Sequence, residues 1–307
     1  MTNGPRTLTG FDALRAATDI MLRVRETDPM VGLLEAGDLA WWWATEPKRA
    51  APTVTTVWGG RDGHPLVAVV EARDAGKNGE PDRIGIDLVG DVAPGSGGHG
   101  LVIPWLLDRL ADPTFHPGAT VAVMVDERDE ALAAALAGQG LGRDPGDDMV
   151  QFAQRPSAPP AVPPLPAGWR FADGMEPSDG PHHLARRNGA TVHDRLRQTT
   201  LYRPEFDLRV LTDDGSLAAY CLLWHDGGKG PTAAGHFEPV RTEDAFQGRG
   251  VGKALMAEGV RRLVGAGAVT VKVETYVRLE PARALYARVG FEPVYRRLAW
   301  SRSPVTG

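Results

Sequence analysis

The feature that most constrains this chain is a glycine-rich segment at residues 247–255, which reads QGRGVGKAL. Gly248, Gly250 and Gly252 alternate with other residues directly before a helical pattern that continues to Leu263. A glycine-rich turn that opens a helix leaves backbone N–H groups unpaired at the positive end of the helix dipole. Such a turn favours anion binding, and phosphate fits it best.

Two common nucleotide motifs do not fit this segment. A Walker loop needs Ser or Thr after its lysine, and here Ala254 follows Lys253. A dinucleotide fingerprint would place its third glycine at Lys253, and no βαβ pattern continues from it. The remaining pattern is Q-x-x-G-x-G, with Gln247, Gly250 and Gly252, which taken alone is also compatible with a plain glycine-rich turn.

Length and composition limit the class of protein. A chain of 307 residues predicts about two domains. The net charge of −5 and the pI near 5.9 argue against a nucleic-acid partner. We expect no signal peptide, membrane span, disulfide framework or metal site, because the amino terminus has no apolar core, no apolar run is long enough and Cys221 is the one cysteine. A cytoplasmic protein, monomeric or homodimeric, is the expectation.

A proline-rich segment marks the domain boundary. Residues 154–168 read QRPSAPPAVPPLPAG, which favours an extended spacer over a helix or central strand. We therefore predict an N-terminal domain at residues 1–153, a linker at 154–167 and a C-terminal domain at 168–307. The triplet Trp41–Trp43 is predicted to pack a core or the seam between domains, and the alternative is a stacking platform for a ligand.

The two halves repeat one order of elements, which predicts an α/β fold with an internal duplication. Helix Glu130–Ala137 before Gly140-Leu141 aligns with helix Pro281–Val289 before Gly290-Phe291, and a glycine turn lies upstream of each. Apolar periodicity predicts these elements: helix Phe11–Val24, strands Thr53–Trp58, Pro65–Ala72, Ile84–Val89, Thr120–Val125 and Met149–Phe152, strand Trp169–Ala172, helical stretches Gly180–Val192 and Asp194–Tyr202, and strands Asp207–Thr212, Leu217–His225, Thr232–Val240, Val269–Thr275 and Val294–Trp300.

The C-terminal half resembles the GCN5-related N-acetyltransferases (GNAT). The resemblance rests on the strand, turn and helix from Gly235 to Leu255 and on the segment ARALYARVGF from Ala282 to Phe291. It implies a mixed-sheet α/β (α+β) fold of two tandem GNAT-like acyl-CoA N-acyltransferase domains, of which the N-terminal one is degenerate. The implied activity is transfer of an acetyl group from acetyl-CoA.

The resemblance also implies a set of cofactor-binding residues. In the family, the strand before the loop separates from its neighbour and offers backbone groups to the pantetheine arm, and the loop holds the pyrophosphate. The glycines let the backbone approach the phosphates, and two basic side chains can add charge. The matching residues are Val240, Arg241, Thr242, Gln247, Gly248, Arg249, Gly250, Val251, Gly252 and Lys253.

Three residues are candidates for proton transfer. Tyr286 matches the family tyrosine that protonates the leaving thiolate, and a helical stripe of Ala282, Leu285 and Val289 predicts that Tyr286 faces the cleft from the edge of the core. Strand alternation puts His236 and Glu238 on one face, and family members use an acid or an imidazole on this strand as the base. Glu238 is the first choice and His236 the second; the alternatives are a substrate-orienting group, a surface pair or a base that is water.

The sequence departs from the family at several positions. Leu279 stands where many relatives have an asparagine that meets CoA. In the N-terminal half, Gly95 replaces the glutamine of the loop, and the tyrosine position falls at Leu136 or Ala137. We therefore predict that this half is non-catalytic and shapes the cleft or covers a sheet edge; Asp87 is the only acid at the end of its central strand.

The acceptor is a small-molecule primary amine in the first hypothesis. The alternatives are a non-catalytic acyl-CoA sensor and a protein or peptide N-acetyltransferase. The resemblance implies that acceptor contacts come from Gly180–Tyr202, and the polar residues there are His182, His183, Arg186, Arg187, His193 and Asp194, most of which are expected on solvated helix faces.

Overall fold

The computed structural model describes residues 4–59, 65–76, 79–177 and 180–304. Within them, each half runs strand, two helices, three strands, helix, strand, helix and a final strand region. The N-terminal elements are β1 (Arg6–Thr9), α1 (Gly10–Arg25), α2 (Ala36–Thr45), β2 (Val54–Gly59), β3 (Pro65–Asp74), β4 (Arg83–Gly90), α3 (Gly97–Ala111), β5 (Thr120–Asp126), α4 (Glu130–Gly138), β6 (Gly142–Arg143) and β7 (Met149–Gln154). The C-terminal elements are β8 (Arg170–Ala172), α5 (Ala185–Asn188), α6 (Val192–Leu196), β9 (Asp207–Leu211), β10 (Leu217–His225), β11 (Ala234–Thr242), α7 (Val251–Gly265), β12 (Thr270–Tyr276), α8 (Glu280–Arg288) and β13 (Glu292–Arg302).

All strands belong to one mixed sheet, which confirms the predicted fold class. The order is β1-β2-β3-β4-β5-β13-β7-β12-β11-β10-β9-β8, and β6 pairs with β13. Two neighbouring pairs are parallel, β4 with β5 and β11 with β12. Each parallel pair is joined through a helix, α3 or α7, as parallel connections require.

The halves exchange their last strands at the centre of the sheet. β13, from the end of the chain, pairs with β5 of the N-terminal half from Arg297↔Asp126 to Arg302↔Val121. β7 pairs with β12 of the C-terminal half from Val271↔Gln154 to Tyr276↔Met149. Residues 155–169 contain no helix or strand. The division at 1–153 and 168–307 stays a prediction, and a cut there would separate paired strands.

The apolar residues form three clusters that follow the sheet. One lies between the C-terminal strands and α7 and α8, and a second lies between the N-terminal strands and α3 and α4. The third covers the opposite face and mixes α1 and α2 with Leu184, Val192 and Leu196 of the C-terminal half. This shared cluster joins the halves on that face.

The tryptophan triplet lies on α2 at this seam, which confirms its predicted packing role. The Arg195 guanidinium carbon lies 3.6 Å from the centroid of the Trp43 ring. Arg195 Nε donates to the Trp43 carbonyl at 2.7 Å, and Nη2 donates to Glu46 at 2.8 Å. These contacts therefore fix α6 of the C-terminal half against α2 of the N-terminal half.

The prediction of helical stretches at Gly180–Val192 and Asp194–Tyr202 was wrong in detail. Its helices are only Ala185–Asn188 and Val192–Leu196. The fully buried Asp207 carboxylate accepts hydrogen bonds from His182 Nε2 at 2.7 Å, His183 Nε2 at 2.5 Å and the Tyr202 hydroxyl at 3.0 Å. These contacts fix the chain in an irregular path, and His182 and His183 bind Asp207 instead of lying on a solvated helix face. Among the described residues, no helix is long and apolar enough to cross a membrane.

Candidate active site

A gap opens where β11 separates from β12. Their parallel pairing ends at Phe237↔Val273, although β11 continues to Thr242 and β12 to Tyr276. Beyond Phe237, the edge of β11 that faces β12 has no strand partner, so its backbone N–H and C=O groups are available to a ligand.

A β-bulge lies at the start of this gap. Glu238 and Pro239 of β11 oppose the single residue Leu222 of β10, between the pairs Leu223↔Phe237 and Cys221↔Val240. The Trp224 Nε1 donates to the Glu238 carbonyl at 2.6 Å and fixes the bulge. A bulge bends its strand and redirects side chains, which explains why β11 leaves β12 at this point.

The glycine-rich turn follows β11 and opens α7. Gly248 has φ +75° and Gly250 has φ +78°, in the left-handed region that only glycine adopts readily. Gly250 is the N-cap of α7, and no side chain caps the helix there. The first backbone N–H groups of α7 are therefore free of side-chain acceptors, as an anion site requires.

Gly252 serves close packing rather than backbone conformation. A Cβ on Gly252 would lie 3.0 Å from Thr242 Oγ1 and 3.2 Å from Leu285 Cδ2. A larger residue would push α7 away from both β11 and α8. The glycine therefore keeps the helix terminus at the mouth of the gap.

Polar side chains surround the turn. Gln247 Nε2 donates to the Thr242 carbonyl and to Asp244, both at 3.3 Å, so it braces the turn. Arg241 pairs with Asp244 at 3.0 Å. Arg249 and Lys253 are exposed, and neither has an acidic partner among the described residues. Their positive charges are available to an anion at the α7 terminus.

Tyr286 lies in the core beneath the gap. It is 6% exposed and is the one buried residue of α8, whereas Ala282, Leu285 and Val289 are only partly buried. The predicted placement at the edge of the core stripe was therefore wrong. Burial raises the pKa of Tyr286, and the nearby Glu238 charge adds to the rise. The phenol stays protonated and remains able to donate.

Glu238 is the half-buried carboxylate at the bulge. Its side chain has no hydrogen-bond or ion-pair partner among the described residues. Burial raises the pKa of Glu238 to about 8, and the carboxylates of Asp38 and Glu274 add to the rise while Arg297 opposes it. A carboxyl group of this kind takes up a proton near neutral pH, as a general base must.

His236 lies two residues earlier and is enclosed by the N-terminal half. It is 4% exposed, and its Nε2 lies 3.4 Å from Asp38 on α2. Burial lowers the pKa of His236 to about 3, so the ring is neutral. Its strand neighbour Lys272 pairs at 2.7 Å with Glu35, the N-cap residue of α2.

Arg297, which no sequence motif marks as a site residue, lies between the two parallel strand pairs. Its guanidinium pairs with Glu274 at 2.5 Å and with Asp87 at 3.2 Å. Asp87 and Glu238 occupy equivalent positions in the two halves. Asp87 follows the last parallel pair of the N-terminal half, Ile86↔Val123. Glu238 follows the last parallel pair of the C-terminal half, Phe237↔Val273. The acid of the N-terminal half is therefore neutralised by Arg297, whereas Glu238 is not paired.

Comparison with known proteins finds a family that the C-terminal half resembles. Residues 178–291 match the family model described as the acetyltransferase (GNAT) family. No curated protein gave a significant match.

Solved structures extend the likeness to the whole chain. A tandem GNAT protein from the clavulanic acid biosynthesis pathway aligns with a TM-score of 0.66 and 17% identity over 99% of this chain and 100% of its own. A GCN5-related N-acetyltransferase from Sphaerobacter thermophilus aligns with a TM-score of 0.54 and 19% identity over 99% and 96%. At these identities the likeness concerns the fold, and the chain has the tandem GNAT fold.

The N-terminal GNAT-like half differs at its helix terminus and at the tyrosine. The equivalent helices α3 and α7 both have 15 residues, which puts Ser96 opposite Gly250 and Gly98 opposite Gly252. The structure therefore shifts the alignment predicted from the sequence, which put Gly95 at the position of Gln247, by two residues. Ser96 Oγ accepts the His99 N–H at 3.1 Å, so one N–H group of α3 is already satisfied.

The tyrosine position of the N-terminal half is Leu136. α4 and α8 both have nine residues, and Leu136 and Tyr286 are each the seventh. Leu136 is completely buried. This half therefore has no phenol at the position of Tyr286.

Proposed function

We propose that the C-terminal half transfers an acetyl group from acetyl-CoA to a primary amine of a small molecule. The observation that carries the proposal is the coincidence of three features at one place. The unpaired edge of β11, the uncapped terminus of α7 and the pair Glu238 and Tyr286 all adjoin the gap between β11 and β12.

Acetyl-CoA fits this arrangement along its length. Its pyrophosphate would contact the N–H groups at residues 248–253, with Arg249 and Lys253 adding charge. Its pantetheine arm would pair with the backbone of residues 240–242, and its thioester would lie in the gap. Residues 1–153 would form a degenerate domain, 154–167 a linker and 168–307 the catalytic domain.

The proposed reaction balances within this site. The acceptor ammonium gives a proton to the Glu238 carboxylate, and the free amine nitrogen attacks the thioester carbon. A backbone N–H near Val240 stabilises the oxyanion that forms. The C–N bond is then complete and the C–S bond breaks. The Tyr286 phenol gives its proton to the departing sulfur, and the second proton that the attacking nitrogen loses restores the phenol. The products are an amide and free CoA.

The choice of Glu238 over His236 rests on the match of pKa values. A base is most effective when its pKa lies near the working pH. Glu238, with a pKa of about 8, meets this condition, and His236, with a pKa of about 3, does not. His236 also lies against Asp38, away from solvent.

The test is thioester-dependent release of free CoA across a panel of primary amines, followed with a thiol reagent. We expect release with at least one amine, and mass spectrometry should find that amine heavier by one acetyl group. If acetyl-CoA binds but no small amine causes release of free CoA, the sensor alternative is supported. If free CoA is released only in the presence of a peptide, peptide N-acetylation is supported.

A further inference from the structure

A second groove lies on the opposite flank of α8 from the proposed acetyl-CoA gap. It has a volume of about 490 Å³, which lies within the range of small-molecule sites. Four residues of α8 line it at helical spacing, namely Glu280, Arg283, Ala284 and Ala287. Leu285, which packs against Gly252 of α7, points to the other side of the helix.

The exchanged strands form the floor of the groove. Val150 and Phe152 of β7 line it beside Pro293 and Val294 of β13. The register of the two strands shifts between Pro293 and Tyr295, so Val294 lies at a bulge and is 49% exposed. A bulge redirects its side chains, which explains why an apolar valine faces this open groove.

The polar feature that points to a ligand is Arg283. Its Nε is buried without an acceptor, and no described residue pairs with its Nη groups. A buried Nε that lacks an acceptor is unfavourable unless a ligand supplies one. Carboxylate groups bind guanidinium in a bidentate geometry.

Besides Arg283, the charged residues that line the groove are Glu127, Glu280 and Arg296, so its charges sum to zero and do not favour a ligand with several negative charges. Glu127 and Glu280 also line it, and they would repel a phosphate with two charges. Small or apolar residues, Ala284, Ala287 and Val294, line the remainder and suit a hydrocarbon body. The groove therefore combines the unpaired Arg283 guanidinium and a second guanidinium, that of Arg296, with an apolar wall.

We propose that this groove binds an amphipathic monocarboxylate, with its carboxylate on Arg283 and its hydrocarbon part between α8 and the exchanged strands. The site is separate from the acetyl-CoA gap, because it lies on the other flank of α8. Its floor residue Phe152 contacts the Tyr286 ring edge-on at a centroid distance of 5.7 Å. The floor of the groove is therefore separated from the proposed catalytic tyrosine by one side chain.

Isothermal titration calorimetry with octanoate tests the proposal. We expect saturable binding of about one octanoate per chain, in the presence and absence of saturating CoA, and no comparable binding of octylammonium or acetate. Arg283→Gln should weaken binding about tenfold to a hundredfold, as expected for loss of a hydrogen bond to a charged group. Arg288→Gln is the matched control, because Arg288 is an exposed residue of the same helix that does not line the groove.

A second variant tests the apolar wall independently of charge. Ala287→Leu fills the groove from an exposed position of α8 and should also weaken octanoate binding. The proposal is overturned if octanoate does not saturate the protein or if Arg283→Gln binds it as tightly as Arg288→Gln does. It is also overturned if CoA displaces octanoate, because the carboxylate would then occupy the acetyl-CoA gap.

Discussion

Replacement of Glu238 by glutamine should remove the acidic limb of the pH–rate profile. Activity requires the carboxylate form, and the pKa of Glu238 is raised to about 8 by burial and by Asp38 and Glu274. The raised pKa means that the carboxylate is lost as pH falls through 8. For a group of this pKa, kcat/KM falls about tenfold for each pH unit below it, and at about pH 6 roughly one molecule in a hundred is active.

The assay must separate Glu238 from the amine, which also titrates. An acceptor with electron-withdrawing substituents, whose own pKa lies well below neutrality, removes the contribution of the amine. With such an acceptor, kcat/KM of the wild-type protein should still fall as pH drops below about 8, because Glu238 becomes protonated. The kcat/KM of Glu238→Gln should not depend on pH in this range. At the wild-type optimum the variant should be slower by about a hundredfold to ten-thousandfold.

Glu26→Gln, at an exposed position of the N-terminal half, is the control and should match the wild type. With a strongly basic amine, the deficit of Glu238→Gln should shrink as pH rises, because free amine then needs no base. A variant that retains the acidic limb, or that loses rate equally at every pH, would refute the assignment of Glu238 as the base.

Other changes probe the remaining contacts. Tyr286→Phe should keep CoA affinity and lower kcat about a hundredfold or more; full kcat at saturating amine would limit Tyr286 to packing. Gly250→Ala should weaken CoA binding in calorimetry, because a left-handed conformation costs alanine about 1–2 kcal/mol, and unchanged affinity would contradict the role of that turn. His236→Gln should slow turnover less than Glu238→Gln does, and the reverse order would move the base to His236. Arg195→Gln should lower the free energy of unfolding by about 1–3 kcal/mol in urea titrations, and no change would mean that the seam at Trp43 contributes nothing.

The sequence predicted the elements around the glycine turn well. Strand Leu217–His225 has the predicted bounds, and helix Glu280–Arg288 differs from the prediction by one residue at each end. These elements have strong local signals, because their apolar periodicity and their glycine stops agree with the fold. The turn could also be predicted from the sequence, because each of its glycines is needed. Gly248 and Gly250 have positive φ, and Gly252 packs closely against its neighbours.

The exchange of β7 and β13 could not be predicted from the chain. An alternating strand pattern says which face is buried, and it does not say which neighbour the strand pairs with. Arg297 was missed for the same reason, because its partners Glu274 and Asp87 lie 23 and 210 residues away in sequence. α2 was missed because its Trp41–Trp43 triplet gives no clear helical stripe.

Tyr286 shows a different limit of sequence reasoning. The periodicity of α8 placed Ala282, Leu285 and Val289 on the core face, yet Tyr286 is the residue that is buried. The reason is tertiary, because Phe152 of the exchanged β7 and Phe291 pack against the tyrosine ring. The packing partner from the other half of the chain decides which side of the helix is enclosed.

The most direct test of the central claim is the stoichiometry of CoA binding by calorimetry. We expect about one CoA per chain, bound at the C-terminal half through the uncapped α7 terminus. Gly252→Val should abolish the binding, because its side chain collides with Thr242 and Leu285. Gly97→Val, at the equivalent turn of the N-terminal half, has space for its Cβ and should leave binding unchanged. Two equivalent sites, or binding that survives Gly252→Val and is lost in Gly97→Val, would contradict the account.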